Sequence, residues 1–375
     1  MNFNELGFND DVLRAIEDLG FDEPTEIQEQ AIPLILEGRD MTAASATGSG
    51  KTLAFSAGLV NELDTDGLHG LVLAPTRELA QQVAREIERL SKYKDLHVAV
   101  VHGGVPYEPQ IESMNKATVV VGTPGRTLDH LRKDNLDLSN IEIFILDEVD
   151  RMLDMGFIDD VTAIMEYCPE YRQNLFFSAT LSTRVNRIAE KLGDDPVEVS
   201  VNNQVDPSKL TQVYYDIPDN IKFSLLHHLL KEEQSDLVMV FCNTRNTTDF
   251  VAKNLKAHGI DAYAIHGGFS QNQRNKRMNQ FKEGDVTVLV CTDVAARGID
   301  VDNVTHIYNY DIPSDPKQYV HRIGRTARAG EDGKAINILG GRDHDNFRRV
   351  MRHHSHHIDR VEPPRVERLD IKWTP

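Results

Sequence analysis

Lys51 and Thr52 close the segment SATGSGKT (45–52), with Gly48 and Gly50 just ahead of them. Two glycines let a backbone turn its N–H groups inward around phosphate oxygens, ahead of a helix whose N-terminal dipole favours anions. In the generic phosphate loop, GxxxxGK[ST], the lysine neutralises β- and γ-phosphate charge and the hydroxyl ligates Mg2+. Ser45 stands where that pattern has its first Gly, while Gly50-Lys51-Thr52 are intact. A second signal is IEIFILDEVD (141–150), an apolar run that ends in three carboxylates within four residues. Adjacent carboxylates repel, so they need a counterion, solvent or a task. A buried strand ending in Asp beside a phosphate loop sets that acid at the metal. Asp147 is therefore expected to hold Mg2+ through water, Glu148 to accept a proton from an attacking water, and Asp150 to bind other protein groups. A solvated acidic helix start is the plainer reading of Glu148 and Asp150, and the phosphate loop in the same chain weighs against it.

The elements that must carry these residues alternate in type. LVLAP (71–75), HVAVVHGG (97–104), ATVVVGTP (117–124), IFILDE (143–148) and NLFFSAT (174–180) are apolar on nearly every residue, which suits parallel strands covered on both faces. RELAQQVAREIERLSKY (77–93) and similar segments between them have helical spacing. The alternation predicts a doubly wound α/β sheet. The second half repeats it in LVMVFCNT (237–244), DAYAIHGG (261–268), VTVLVCTD (286–293) and VTHIYNYD (304–311). HVAVVHGG and DAYAIHGG end alike, as two related domains would. A seam is expected near 198–210, EVSVNNQVDPSKL, giving a first domain over 1–203, a linker over 204–210 and a second domain over 211–375. The unusual residues cluster just after the strands, at the edge where open α/β sheets bind ligands.

Bulk composition bounds the class. The 375 residues suffice for two domains, and 40% hydrophobic with 27% charged is ordinary for a globular protein. No apolar run approaches a membrane span, and MNFNELGFNDDVL reads as neither a secretory nor a basic transit signal. Cys168, Cys242 and Cys291 are scattered without metal-ligand spacing, so reduced buried thiols and a cytoplasmic setting are expected. The net charge of −18 hides an asymmetry: residues 1–203 carry 17 Lys+Arg against 36 Asp+Glu, the remainder 24 against 23. Nucleic-acid binding would have to come from local patches rather than the overall field.

The ordered set SATGSGKT, PTRELA, GG, TPGR, DEVD, SAT, VFCNTR, TDVAARGID and YVHRIGRTAR, from Phe3 to about Gly341, resembles the DEAD-box ATP-dependent RNA helicases of helicase superfamily 2. The resemblance implies two tandem RecA-like domains and RNA-stimulated ATP hydrolysis coupled to domain closure and local, non-processive unwinding of short duplexes. It implies that GFDEPTEIQ (20–28) reads adenine, with Phe21 against the base, Thr25 in the element and Gln28 making paired amide contacts. Ser45, Ala46, Thr47, Gly48, Ser49, Gly50, Lys51 and Thr52 would surround the phosphates, and Asp300 would meet the ribose. Arg325 and Arg328, three apart and on one face if helical, would reach the γ-phosphate as arginine fingers, with His321 linking them to the acids. Asp150, Ser178 and Thr180 would couple the ATP site to strand separation. RNA would be held by Pro75, Thr76, Arg77, Gly103, Gly104, Thr123, Gly125 and Arg126, and by Gln271, Arg274, Thr292 and Arg297. These are backbone amides, hydroxyls and Arg side chains suited to phosphates and 2′-OH groups, so binding with little sequence specificity follows.

Three departures from the family pattern, Val149, Ala327 and Ser45-Ala46, exchange small or apolar residues and leave every charged role filled. The tail carries seven Arg in 342–368 with His344, His353, His354, His356 and His357. That stretch reads as a solvent-facing polar run before a metal site, with an auxiliary RNA contact as a further option. A monomeric core is expected. An ATP-gated RNA clamp, a binding module rather than a working helicase, needs the same residues; a DNA translocase is opposed by TPGR, PTRELA and Gln28. A small-molecule kinase leaves the Arg motifs of the second half without a role.

Overall fold

Apolar residues on both sides of a strand force cover on both faces, and the strands of this chain obtain it twice. The computed structural model describes residues 2–45, 48–201, 209–233, 235–296, 304–327, 332–353 and 357–371, with the backbone alone for Gln271 and Val294. The chain divides into two compact units, Met1–Asn203 and Gln204–Pro375.

The first unit holds seven strands: β1 Met41–Ala44, β2 Gly70–Leu73, β3 Val98–Val101, β4 Val119–Gly122, β5 Ile143–Leu146, β6 Gln173–Ser178 and β7 Val197–Ser200. Every pairing is parallel, in the order β3-β4-β2-β5-β6-β1-β7. Side chains alternate across a strand: Ile143 and Ile145 enter one core and Phe144 and Leu146 the other. The first core packs under the helices Glu26–Leu36, Lys51–Glu62 and Arg77–Leu90.

The second unit has β8 Leu210–Asp216, β9 Leu237–Cys242, β10 Ala262–Ile265, β11 Val288–Thr292, β12 Val304–Asn309, β13 Gly333–Leu339 and β14 Asp359–Arg360. Its order, β10-β11-β9-β12-β13-β8-β14, is the first order with each strand replaced by its counterpart seven places on. All of its pairings are parallel too. Two doubly wound parallel sheets are therefore present, as the alternation predicts. All nine strands read from the sequence form.

The misses have physical causes. β1 is MTAA, too weakly apolar to stand out. β8, LTQVYYD, has Gln212 at an inward position, buried because it accepts the Tyr319 hydroxyl (2.9 Å). The seam segment 198–210 is not polar connection throughout: β7 occupies Val197–Ser200 and β8 begins at Leu210. β7 reads as polar because an edge strand buries only Val199 well. Residues 202–208, most of the expected linker, lie outside the described residues.

On either side of the HHSHH stretch, whose described residues His353 and His357 are exposed, the tail packs onto the second unit. His344–His353 is a helix with Phe347 and Val350 buried against the second unit. Beyond it Val361, Val366, Leu369 and Ile371 pack on the core beneath β8, β9 and β13. Among the described residues no cluster of His, Cys, Asp or Glu could hold a metal; His354 and His356 lie outside them. The three cysteines are free, Cys242 and Cys291 fully buried and Cys168 partly so. No described helix is long and apolar enough to cross a membrane.

The second unit is held at its strand ends by one buried cation. Arg322, 1% exposed, donates from Nε and Nη2 to both oxygens of Asp293 (2.6 and 2.7 Å). It also donates to Asn309 Oδ1 (3.0 Å), Asp311 O (2.6 Å) and Asn243 Oδ1 (2.9 Å), and stacks over Phe241. One guanidinium thus ties the ends of β9, β11 and β12. Replacing Arg322 by Met should strand Asp293 and cost about 3–5 kcal/mol, read as an earlier urea transition of the second unit. A loss below about 1 kcal/mol would show that these bonds hold little.

Candidate active site

The phosphate loop runs from β1 to the helix Lys51–Glu62, and Gly48 and Gly50 take the left-handed conformations (φ +84° and +95°) that the tight path needs. A side chain at Gly50 would meet Gln28 Nε2 at 2.3 Å. Glycine is required there for close approach as well as for its φ. The Lys51 ammonium is turned back onto the Ser45 carbonyl and is 8% exposed. Ser45 Oγ and Ser49 Oγ lie 2.5 Å apart, and Ser45 N donates to Ser178 O (3.3 Å), tying the loop to the end of β6. Thr52 is the second residue of the helix. Ala46 and Thr47 lie outside the described residues.

Gln28 is buried beneath this loop. Its Oε1 accepts the Thr25 N–H (2.9 Å) in a capping box, and its Nε2 donates to Gly50 O (3.1 Å). Thr25 Oγ1 donates to Ser49 O (2.7 Å). Each end of the Gln28 amide keeps a second hydrogen-bonding position, so locking the loop does not exhaust it. Phe21 is 43% exposed and free to cover a ring, whereas Phe3 is buried in the core.

Asp147 follows β5, one strand from β6 and two from β1. It is 3% exposed, and its carboxyl is pushed up to about 7, first by burial and then by the charge of Glu148 beside it. Lys51 and the Glu148 N–H, which donates to Asp147 Oδ1 (3.0 Å), pull the other way without prevailing. A buried carboxylate so short of positive charge fits a divalent cation, with Thr52 the hydroxyl nearest in sequence to the loop. Glu148 heads the helix Val149–Asp154 at φ +54°, and its Oε2 accepts Arg151 Nη1 (2.8 Å). Arg151 was not among the sequence candidates, although its place three residues after Glu148 on a helix was a usable signal. Asp150 Oδ1 accepts its neighbour's N–H, from Arg151 (3.0 Å). Ser178 Oγ donates to Thr180 O (3.0 Å), closing a turn; the helix that follows is capped by Ser182 instead.

Along the same edge, β2, β3 and β4 carry a different chemistry. Thr76 caps the helix Arg77–Leu90 after Pro75, and Arg77 extends over the turn Gly103-Gly104, where an added Cβ would fall 3.4 and 2.2 Å from its guanidinium. Thr123 stands just before the helix Pro124–Arg132, which presents Gly125 and Arg126. His102 bonds Gln81 (3.1 Å) behind the turn. Loop, acids and Ser178-Thr180 thus occupy the β5-β6-β1 half of the edge, and Arg77, the glycines, Thr123 and Arg126 occupy the β3-β4-β2 half.

The second unit repeats the second arrangement. Thr244 caps the helix Arg245–Ala257, Arg245 lies over Gly267-Gly268, and His266 sits 3.0 Å from Asp249 as His102 sits beside Gln81. Arg245, Gly267 and Gly268 were not among the expected contacts; the shared HGG endings and the TR pair were the signal for them. Thr292 ends β11, 8% exposed, and Arg274 lies on the helix Gln271–Lys282. The side chain of Gln271 and all of Arg297, Asp300 and Arg328 lie outside the described residues. His321 is in the last turn of the helix Pro316–Ile323. Arg325 lies beyond that helix, which ends at Ile323 with Gly324 as its cap, and Ala327 turns to φ +54°. Arg325 is 6% exposed.

A parallel sheet with a phosphate loop after its first strand and a buried acid after a central one defines a nucleoside-triphosphate-binding domain, here followed by a second unit of identical strand order. Residues 25–188 match the DEAD/DEAH box helicase family and residues 221–330 the helicase conserved C-terminal domain. The DEAD-box ATP-dependent RNA helicase CshA of Bacillus cereus is 41% identical over 369 residues, 97% of this chain and 70% of the relative. Dbp5 of S. cerevisiae bound to RNA and ADP BeF3 superposes with a TM-score of 0.87 at 31% identity, covering 96% of this chain and 95% of that one. A DEAD box protein from the hyperthermophile Methanococcus jannaschii gives 0.60 at 41% identity, covering 96% and 99%. The chain belongs to the DEAD-box ATP-dependent RNA helicases, and its two units are RecA-like domains.

Asp147 makes stability depend on pH. Its carboxyl titrates near 3.8 when unfolded and near 7 when folded, so between those values the folded state holds a proton that the unfolded state releases. Stability of the nucleotide-free protein should fall as pH rises from about 4 to about 7 and then level off. Asp147→Asn should lose this component, so its advantage in Tm, measured in chelator, should be larger near pH 8 than near pH 5. An equal shift at both would remove the buried charge as its cause.

Proposed function

We propose that this chain works as an RNA-stimulated ATPase that separates short RNA duplexes locally. The observation that carries the reading is the division of one sheet edge into a phosphate-loop half and a half bearing Arg, hydroxyl and glycine-turn amides. Such an edge suits a triphosphate and a nucleic-acid backbone side by side. Gln28 and Phe21 are the groups suited to adenine, and Lys51 with the loop amides to the phosphates. Thr52 and Asp147 would hold Mg2+, which supplies neutralising charge at the phosphates. Glu148 would accept the proton of the attacking water, with Arg151 holding its carboxylate in place.

We assign the first domain, 1–203, to nucleotide grip and the second, 211–375, to completing the site through His321, Arg325 and Arg328 after a linker over 204–210. Asp300 belongs to the same assignment at the ribose. Asp150, Ser178 and Thr180 relay between ATP and RNA. Hydrolysis that needs groups from both domains stays slow until ATP and RNA favour a closed arrangement. On the RNA, Pro75, Thr76, Arg77, Gly103, Gly104, Thr123, Gly125 and Arg126 act with Gln271, Arg274, Thr292 and Arg297, to which Arg245 is added. Few of these suit a base edge, so binding follows the backbone with little sequence preference, by a monomeric core in a cytoplasmic setting.

The direct test is ATP turnover with and without single-stranded RNA, alongside multiple-turnover displacement of a short RNA duplex. RNA should raise turnover by an order of magnitude or more; equal turnover without it, or equal stimulation by single-stranded DNA, would overturn the reading. Glu148→Gln should keep ATP and RNA binding but lose about 100-fold or more in turnover. Wild-type turnover there would release Glu148 from its role. Arg325→Ala should lower RNA-stimulated turnover on the order of a thousandfold while sparing nucleotide affinity, and surviving stimulation would show the finger to be misassigned.

A further inference from the structure

Tyr107 lies just beyond the Gly103-Gly104 turn, and two cations from one helix close on its ring. The Arg126 guanidinium carbon is 4.2 Å from the ring centroid and Lys133 Nζ is 3.8 Å from it. Positions 126 and 133 are two helical turns apart, so they share a face of the helix Pro124–Arg132 and its cap. His130, between them on that face, meets the ring edge-on at 5.0 Å. Burial, then Arg126 and Lys133, push the His130 imidazole below its usual range, so it adds no charge of its own near neutral pH. The phenol donates to Asp129 Oδ2 (3.3 Å), and Arg126 Nη1 donates to Val105 O (3.0 Å).

Among the described residues, neither Arg126 nor Lys133 forms an ion pair. Like charges drawn onto one ring repel each other, and an aromatic face satisfies a cation less well than an anion does. The arrangement therefore gathers two cations into a spot that still needs negative charge, on a unit whose overall balance is strongly acidic. Resting on the RNA reading of Arg126, we propose that Tyr107 is a positioning residue that holds Arg126 and Lys133 together. Through them, the first domain grips a further phosphate of the bound RNA strand, with Lys133 as a backbone contact in its own right.

The test uses the full chain with a non-hydrolysable ATP analogue and a labelled single-stranded RNA, with affinity measured across a salt series. Lys133→Ala should weaken binding and lower the slope of log affinity against log salt by about 0.7, the value for one phosphate on a single strand. Tyr107→Ala should weaken binding roughly three- to tenfold, Tyr107→Phe should restore it, and Tyr107→Ala should add little to Lys133→Ala. Affinity for a fluorescent ATP analogue without RNA should not change in any variant. If Arg126→Ala weakens binding while Tyr107→Ala and Lys133→Ala keep the wild-type affinity and slope, the proposal falls and the RNA reading stands. If Arg126→Ala also leaves RNA affinity unchanged, the placement of RNA on this edge fails as well. Should Tyr107→Ala not fold, the exposed Lys133→Ala decides the phosphate contact and Tyr107→Leu the role of the ring.

Discussion

A parallel sheet covered by helices on both faces leaves polar groups one place to gather, the ends of its strands, and both units obey that constraint. Every inward position of β5 is apolar, and the first residue able to do chemistry, Asp147, comes directly after the last of them. Thr123 likewise comes directly after β4, and Ser178 and Thr292 are the last residues of β6 and β11. Because strand order decides which ends are neighbours, the order β3-β4-β2-β5-β6-β1 sorts the groups into two sets without any loop having to travel far. The phosphate loop, the acids and the Ser178-Thr180 turn fall together, and so do Arg77, Gly103-Gly104 and Arg126. A short hydrogen-bonded path, through Ser45 N to Ser178 O, joins the phosphate loop to the turn that Ser178 closes.

Charge at those ends is handled in two contrasting ways. Arg322 has every face of its guanidinium occupied, by a bidentate Asp293, two Asn side chains and a carbonyl, and belongs to the scaffold. Asp147 is as deeply buried but undercompensated, and its carboxyl rises to about 7 with Lys51 and one N–H set against burial and two neighbouring acids. Burying an ion without full pairing costs several kcal/mol, so such a group persists where a ligand completes it. The difference in compensation separates structure from site more clearly than exposure does, since both residues are almost inaccessible.

Much of this was legible because burial on both faces writes itself into the sequence as continuous apolar runs, and because chemistry at strand ends puts the functional residues next to those runs. What was not legible follows the same physics. β1 and β8 escaped because MTAA is only weakly apolar and LTQVYYD buries Gln212 through a hydrogen bond rather than by hydrophobicity. That Arg325 lies beyond a helix was not legible, because a glycine at 324 can end a helix as readily as continue through a turn. Arg151 and Arg245 were passed over although their signals, the three-residue spacing to Glu148 and the TR and HGG pattern shared by both halves, were present in the sequence. The internal repeat, visible in only the three shared residues that end HVAVVHGG and DAYAIHGG, extends in three dimensions to the whole strand order.

Backbone strain separates two departures that look alike in sequence. Glu148 and Ala327 both sit at φ +54°, a conformation that costs a non-glycine residue roughly 1 kcal/mol or more. Glycine would relieve either position. At 148 it would also delete a carboxylate that follows Asp147 and is held by Arg151, so strain there accompanies a paired charge. At 327 the side chain is a methyl that packs against the cluster of Leu210, Tyr319 and Ile323. That burial, at most about 0.8 kcal/mol for one carbon, offsets most of the strain without serving the reaction. The alanine is therefore close to neutral for the fold, and it stiffens the turn after Arg325 more than a glycine would.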